Sequence, residues 1–277
     1  MRTSKFHRGL AGLVLLVSSA VATPAFAQEE EASPPVTISG SVGLVSDYRF
    51  RGVSQSDEDL AIQGGFTIAH ESGFYAGTWG SNLAGWGTFG GTNMELDIFA
   101  GYATTIGSAG IDVGVTWYMY PSGSNNTDFF EGYAKLKGTA GPVDLTAAVF
   151  YAPKQEALGN FSNTPFSRGQ KQHNLYLAGD ASVGIPDTPV TINAHIGYSD
   201  GNPGLGPNGT SVAPTGEYWD WSLGASVNVY GPLTLGIAYV DTDITRAESA
   251  YLGGGFANAE GGQIADATVV VSITAAF

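Results

Sequence analysis

The sequence predicts an all-β fold, a transmembrane antiparallel up-and-down β-barrel of about 12 strands behind a cleaved N-terminal signal peptide. Three observations predict it. Apolar and polar residues alternate with period two along most of the chain. Short and long connections between the alternating segments take turns. Only 13% of residues are charged, yet no segment after the leader approaches the ~20 consecutive apolar residues of a membrane helix.

The first 27 residues read as an export signal. Arg2, Lys5, His7 and Arg8 form a basic start, Gly9 to Ala22 is mostly apolar, and Ala25-Phe26-Ala27 supplies a small-x-small cleavage site. Residues 28–35 form an acidic periplasmic leader, and residues 36–277 the outer-membrane barrel domain. Cleavage would remove three of the eleven Lys and Arg and none of the 25 carboxylates, leaving eight cations and a formal charge of −17. A chain this acidic is a poor electrostatic match for nucleic acid, whose binding rests on Lys and Arg contacts to phosphates. There is no cysteine, so neither disulfides nor thiolate chemistry is available. Closing a sheet on itself is another way to order 250 residues, because closure removes every strand edge.

The first alternating segment runs from Val36. Val36, Ile38, Val42, Leu44, Tyr48 and Phe50 share one face, while Ser39, Ser41, Asp47, Arg49 and Arg51 share the other. Successive strand side chains point opposite ways, so one face is expected to meet lipid and the other the lumen. Eleven more segments follow, starting near Leu60, Phe74, Asn93, Ile111, Asp128, Val143, Lys171, Val190, Glu217, Leu233 and Gln263. The third, sixth and eighth alternate least cleanly. Turn residues mark the short connections, as in His70-Glu71-Ser72-Gly73 and Tyr230-Gly231-Pro232. The longer ones include Gly52 to Asp59, Ala152 to Gln170, Ser199 to Gly216 and Asp241 to Gly262. Outer-membrane barrels combine tight periplasmic turns with extended outer loops, whereas a soluble sandwich gives no reason for such alternation. Aromatics near the expected strand ends, among them Tyr48, Phe50, Tyr75, Tyr102, Trp117, Tyr151, Tyr198, Trp219, Trp221, Tyr239 and Phe277, suggest two interfacial girdles.

On this layout the lumen should receive Asp47, Arg49, Arg51, Glu95, Asp97, Asp112, Glu131, Lys135, Asp144, His195, Asp220 and Asp266. Aligning Phe277 with Val36 across the closing seam brings Asp266 opposite Asp47, so Arg49 or Arg51 is expected to pair with Asp266. Alternatively, Arg49 and Arg51 would face Glu95 and Asp97 across a constriction, since rings of charge select ions. Acids outnumber bases, which favours cations.

Gly197-Tyr198-Ser199-Asp200-Gly201 matches G-x-S-x-G with His195 just upstream. A nucleophile elbow needs a strand–turn–helix context, and the following Asn202-Pro203-Gly204 cannot open a helix. The match reads as chance and no enzyme is expected. Asp57-Glu58-Asp59 and Asp241-Thr242-Asp243 could hold Ca²⁺ or bridge to lipopolysaccharide, but without an EF-hand pattern solvated loop charge is the plainer reading. No metal or cofactor is expected.

Ser39 to Gln55, reading SGSVGLVSDYRFRGVSQ, resembles the opening of the TorF-type porin family, also called Gcw_chp. Gly73-Phe74-Tyr75-Ala76-Gly77-Thr78-Trp79 and Glu95-Leu96-Asp97 are similar to the same family, and the likeness covers the whole chain after the leader. Phe277 on an alternating last strand resembles the C-terminal signal read by the outer-membrane assembly machinery. The resemblance implies a porin of unsettled substrate and brings no catalytic residues with it; the barrel itself reads as a passive diffusion channel for small hydrophilic solutes. A closed structural or adhesive barrel working through its outer loops is the alternative.

Overall fold

The computed structural model describes residues 35–277 apart from 90, 124–125, 160–167, 202–215 and 252–255. The expected signal peptide therefore lies outside the described residues. From Val36 the chain forms β1 (Val36–Val45), a small hairpin of β2 (Arg49–Phe50) and β3 (Val53–Ser54), then β4 (Ala61–His70) and β5 (Phe74–Asn82). After a 3₁₀ turn at Gly85–Thr88 come β6 (Met94–Ile106), β7 (Ala109–Met119), β8 (Phe129–Ala140), β9 (Val143–Gln155), β10 (Gln172–Gly184), β11 (Val190–Asp200), β12 (Glu217–Tyr230) and β13 (Leu233–Thr242). A short helix, α1 (Arg246–Tyr251), precedes β14 (Thr268–Ala276).

β1 and β4 to β14 make one closed antiparallel barrel in which sequence neighbours pair and β14 returns to β1. Twelve strands close the sheet, with starts within a few residues of those read from the pattern. The apolar register explains the arrangement. Ile38, Ile62, Phe66, Ile98, Val115, Leu136, Leu223, Ile237 and Val271 all stand exposed on the outside. A soluble monomer rarely shows a contiguous apolar surface above a few hundred Å². Here the apolar residues encircle the barrel, which is the surface that hydrocarbon requires once every backbone group is paired around the cylinder.

The short turns and both barrel termini share one end. Gly107, Gly141 and Gly231 lead turns of two residues at φ 63°, 61° and 53°. Glycine reaches positive φ without the Cβ penalty, and primed turns of this kind match the twist of a hairpin. Exposed aromatics mark both ends of the cylinder, with Phe74, Tyr102, Tyr230 and Phe277 at the short-turn end and Trp117, Tyr151, Trp219 and Tyr239 at the other. Tyr75 departs from the expected girdle. It points inward, donating to Asp112 at 2.6 Å and sharing a hydrogen bond with Tyr133.

Two sequence expectations are corrected. β1 stops at Val45 rather than running on to Arg51, so Tyr48 and Phe50 are buried inside the barrel and not lipid-facing. The seam register also differs, pairing Ser41 with Ala276 and Val45 with Ser272, which sets Phe277 beside Gly40 instead of Val36. The cause is local. Ser46 ends the strand by binding Val271 through both its amide and its hydroxyl at 2.9 Å. Asp47 then gathers the hydroxyls of Ser54 at 2.6 Å and Ser56 at 3.3 Å, turning the chain back on itself. Local side-chain bonds of this type compete directly with strand pairing.

Candidate functional site: a hairpin stopper above a lumenal cavity

The end of the first alternating segment, from Asp47 to Arg51, thus belongs to a plug. β2 and β3 pair Arg49 with Ser54 and Phe50 with Val53, leaving Arg51-Gly52 as the two-residue turn. Both turn residues have positive φ, 50° and 80°, as a tight primed turn demands. A Cβ on Gly52 would strike Thr242 Cγ2 and come within 2.9 Å of Asp220 Cβ, so the hairpin tip touches the wall where only glycine fits.

The tip is anchored by charge. Arg51 Nη2 donates to both carboxylate oxygens of Glu131 on β8, at 2.7 and 2.9 Å, and Nη1 donates to Asn174 Oδ1 on β10 at 2.7 Å. Its guanidinium lies 4.1 Å from the centre of the Tyr176 ring, and its carbonyl accepts from Tyr218 Oη at 3.0 Å. Arg51 and Glu131 are almost wholly shielded from water. Burial alone would disfavour the Arg51 charge, but the facing Glu131 carboxylate outweighs it and holds the guanidinium more firmly protonated than usual. Tyr48, on the approach to β2, donates to Glu95 at 2.8 Å, and burial with the neighbouring Glu95 and Asp97 charges pushes its phenol well above its ordinary range.

Arg49 serves the other face of the hairpin. It binds Asp47 at 2.5 Å, Glu58 at 2.8 Å and the carbonyls of Gly52 and Asp266, each at 3.0 Å. The expected seam ion pair with Asp266 is therefore replaced. Asp266 lies in the loop before β14, offers Arg49 its backbone carbonyl, and turns its half-exposed carboxylate toward Arg246 at 3.8 Å. Arg51 pairs with Glu131 instead, a partner nearly a third of the chain away that no sequence spacing singles out.

Apolar packing fills the rest of the long-loop half. Phe50 meets Tyr118 edge-on with centroids 5.9 Å apart, Tyr48 meets Trp79 at 5.4 Å, and Tyr118 stacks on Phe129 at 4.5 Å. Val53 packs with Tyr218, Ile244, Phe256, Ile264 and Ala265, so the β13–β14 loop sits over the hairpin. Glu58 ties the two together by accepting from Asn258 at 2.6 Å, and Asp57 accepts from the Ala259 amide at 3.1 Å. The acidic run Asp57-Glu58-Asp59 is in part loop-fastening and not merely solvated charge.

Beneath the hairpin the inward residues become small, with Ala148, Ser182, Ser226 and Ser272 replacing the aromatics, and a cavity of about 360 Å³ remains. Of the residues expected in the lumen, Asp47, Arg49, Arg51, Asp97, Lys135, Asp144, His195 and Asp220 border this cavity. Glu95 and Glu131 lie in the packed layer above, and Asp112 is held at the wall by Tyr75 and, at 3.4 Å, by Lys137. Lys135 rests its ammonium over Tyr133, 4.7 Å from the ring centre. His195 bridges Asp180 through Nδ1 at 2.7 Å and Tyr176 and Asp220 through Nε2 at 2.8 and 3.2 Å. Sequence reasoning missed Tyr176, Asn174, Tyr118 and Asp180. An inward tyrosine or asparagine carries no charge signal, and β10 was among the least regular segments.

The G-x-S-x-G match lies on β11, with no turn at its serine. Ser199 is fully buried and accepts from Asn174 at 3.1 Å, while both His195 nitrogens are taken by other partners.

Residues 29–277 match the family described as Gcw_chp, bacterial protein of unknown function. The chain belongs to the Gcw_chp family. The match spans the whole barrel, hairpin included. A bacterial chain that closes into an even-stranded, lipid-facing barrel is an outer-membrane protein. No curated protein matches it. Among solved structures it is similar to Salmonella typhi OmpF in complex with daunomycin, at 11% identity and TM-score 0.42, covering 87% of this chain and 97% of that one. An outer-membrane channel from Pseudomonas putida F1 aligns at 12% identity and TM-score 0.42 over 92% of this chain and 100% of that one. An anion-selective porin from Comamonas acidovorans aligns at 12% and 0.40 over 87% and 99%. Likenesses this distant add nothing to what the strand pairings of the Gcw_chp barrel establish by themselves.

Proposed function

We propose that this Gcw_chp barrel is a porin-like channel for passive diffusion of small hydrophilic solutes, with a modest cation preference and the β2–β3 hairpin as its stopper. The observation that carries this reading is a cavity of about 360 Å³, bordered by several charged side chains, inside a lipid-facing cylinder and closed above by one short hairpin. An adhesive or purely structural barrel has no need of a hollow charged lumen. Side chains fill a barrel of about eight strands, and diameter grows with strand number, so twelve leave room for passage once the hairpin yields. Asp97, Asp112, Asp144, Asp180 and Asp220 stand against Lys135, Lys137 and His195 in and beside the cavity, and this modest excess of acid favours cations. The long loops would face outward and the short turns the periplasm, with lipid and lipopolysaccharide around the belt.

A second reading is favoured by the dry, aromatic long-loop half: a closed barrel acting through its outer loops. Planar-bilayer recording of purified protein in a KCl gradient separates the two. The channel reading expects conducting events whose reversal potential has the sign of cation selectivity. Clear anion selectivity removes the cation preference, and silence at every voltage, with Glu131→Ala as well as with the unmodified chain, supports the closed barrel.

A further inference from the structure

We propose that Asp97 and the rings around it form a lumenal binding site for a small primary alkylammonium ion. The inference deepens the channel reading, on which it rests for the claim that such a cation is also carried.

Asp97 lies on the inward face of β6, wholly buried, at the upper border of the cavity. Neither carboxylate oxygen has a hydrogen-bond partner. Its backbone carbonyl is used, accepting from Thr78 at 2.8 Å, but the side chain is not. Buried polar groups are nearly always partnered, because a desolvated polar group left without a hydrogen bond is costly. The nearby groups do not help. Glu95, two residues away on the same face, is another acid engaged by Tyr48, and Arg51 is committed to Glu131. A hydrogen-bond donor is what the site lacks.

The surroundings select its kind. The cross-strand neighbours of Asp97 are Trp79 on β5 and Tyr118 on β7, and Phe99 follows two residues on, with Tyr48 packed edge-on against Trp79. Directly opposed residues on a sheet face have Cβ atoms about 4.5–5.5 Å apart. Aromatic faces attract weakly hydrated organic cations. Hard metal ions want a shell of about six to eight oxygens, and among the described residues no group of three or more His, Cys, Asp or Glu is arranged to hold one. A primary ammonium supplies N–H donors to the two empty oxygens and presents its alkyl end to the rings and the hollow below. The hairpin forms the roof, so an occupant would contact the underside of the stopper.

The test is equilibrium titration of propylammonium chloride into the full-length barrel in detergent micelles, by calorimetry and tryptophan fluorescence, with NaCl at equal ionic strength as the control. The site predicts saturable binding to the unmodified protein, binding weakened at least about tenfold in Asp97→Asn, as loss of a desolvated charge pair implies, and binding kept within a few-fold in Asp97→Glu. Folding of each variant is checked by circular dichroism. Should Asp97→Asn not fold, saturable binding that Asp97→Glu retains and NaCl does not mimic still supports the site. Equal binding by Asp97→Asn, or none by the unmodified chain, overturns it. Bilayer recording is scored separately. Binding without conductance refutes the channel and leaves the site, whereas conductance without binding refutes the site and leaves the channel.

Discussion

Arg51 concentrates the chemistry of the plug in one side chain. It combines a positive-φ turn position, a buried ion pair with Glu131 and a ring contact, all inside the barrel. Breaking one half of a buried pair strands the other charge, at about 3–5 kcal/mol, whereas replacing both with apolar groups of similar volume is often neutral. Glu131→Ala should therefore destabilise the barrel by that amount in urea unfolding from micelles, while the Arg51→Met, Glu131→Met double variant stays within about 1–2 kcal/mol of the parent. Equal losses in the two would mean that the pair is not what anchors the tip. Gly52 gives a second residue-scale expectation. Gly52→Ala adds a Cβ at φ 80° against Thr242 and Asp220, and about 1–3 kcal/mol of strain should follow. A thermal midpoint unchanged by that substitution would contradict the packed tip.

Among the elements, the hairpin is where the sequence misled and the strands are where it spoke plainly. Period-two patterning located all twelve barrel strands because each is forced to choose between lipid and lumen, and that choice is written in every second residue. The stretch from Asp47 to Arg51 keeps the same alternation for a different reason. Tyr48 and Phe50 pack in the plug while Asp47, Arg49 and Arg51 make its polar contacts, so the pattern survives although lipid touches none of them. Only the serine hydroxyls on Asp47 and the Arg51-Gly52 turn distinguish the two cases. The candidate lumenal charges were legible because they alternate with apolar residues. Their partners were not, since Glu131, Asn174 and Tyr176 reach Arg51 only through barrel closure. An ordered hairpin makes a clear expectation for hydrogen exchange. The amides of Ser54 and Gln55, bonded to the carbonyls of Ile264 at 2.9 Å and Tyr48 at 2.7 Å, should exchange with the slow barrel strands. Exchange as fast as at the exposed Gly169 would show that the hairpin is not seated.

At the scale of the molecule two opposed demands meet. Lipid requires a closed apolar cylinder, and a cylinder of twelve strands is wider than its own side chains fill at the short-turn end. The chain occupies the long-loop half with a folded-in hairpin and leaves below it a cavity bordered by small and charged residues. The outer belt can be tested apart from the plug. Ile237, exposed near the middle of β13, should cost about 2–4 kcal/mol when changed to Arg, the penalty expected at a bilayer midplane. Arg introduced at the cavity-lining Ser272 should cost far less in the same unfolding measurement. Comparable costs would place the apolar face somewhere other than in lipid.

The stopper itself is tested most directly by single-channel recording of the unmodified protein beside a form in which residues 48–56 are replaced by a short Gly-Ser linker, after confirming that both fold as barrels. A hairpin that occludes the lumen predicts small or intermittent currents from the unmodified chain and a large, steady conductance from the shortened one. Identical conductance from the two, or continued silence from the shortened barrel, would contradict it.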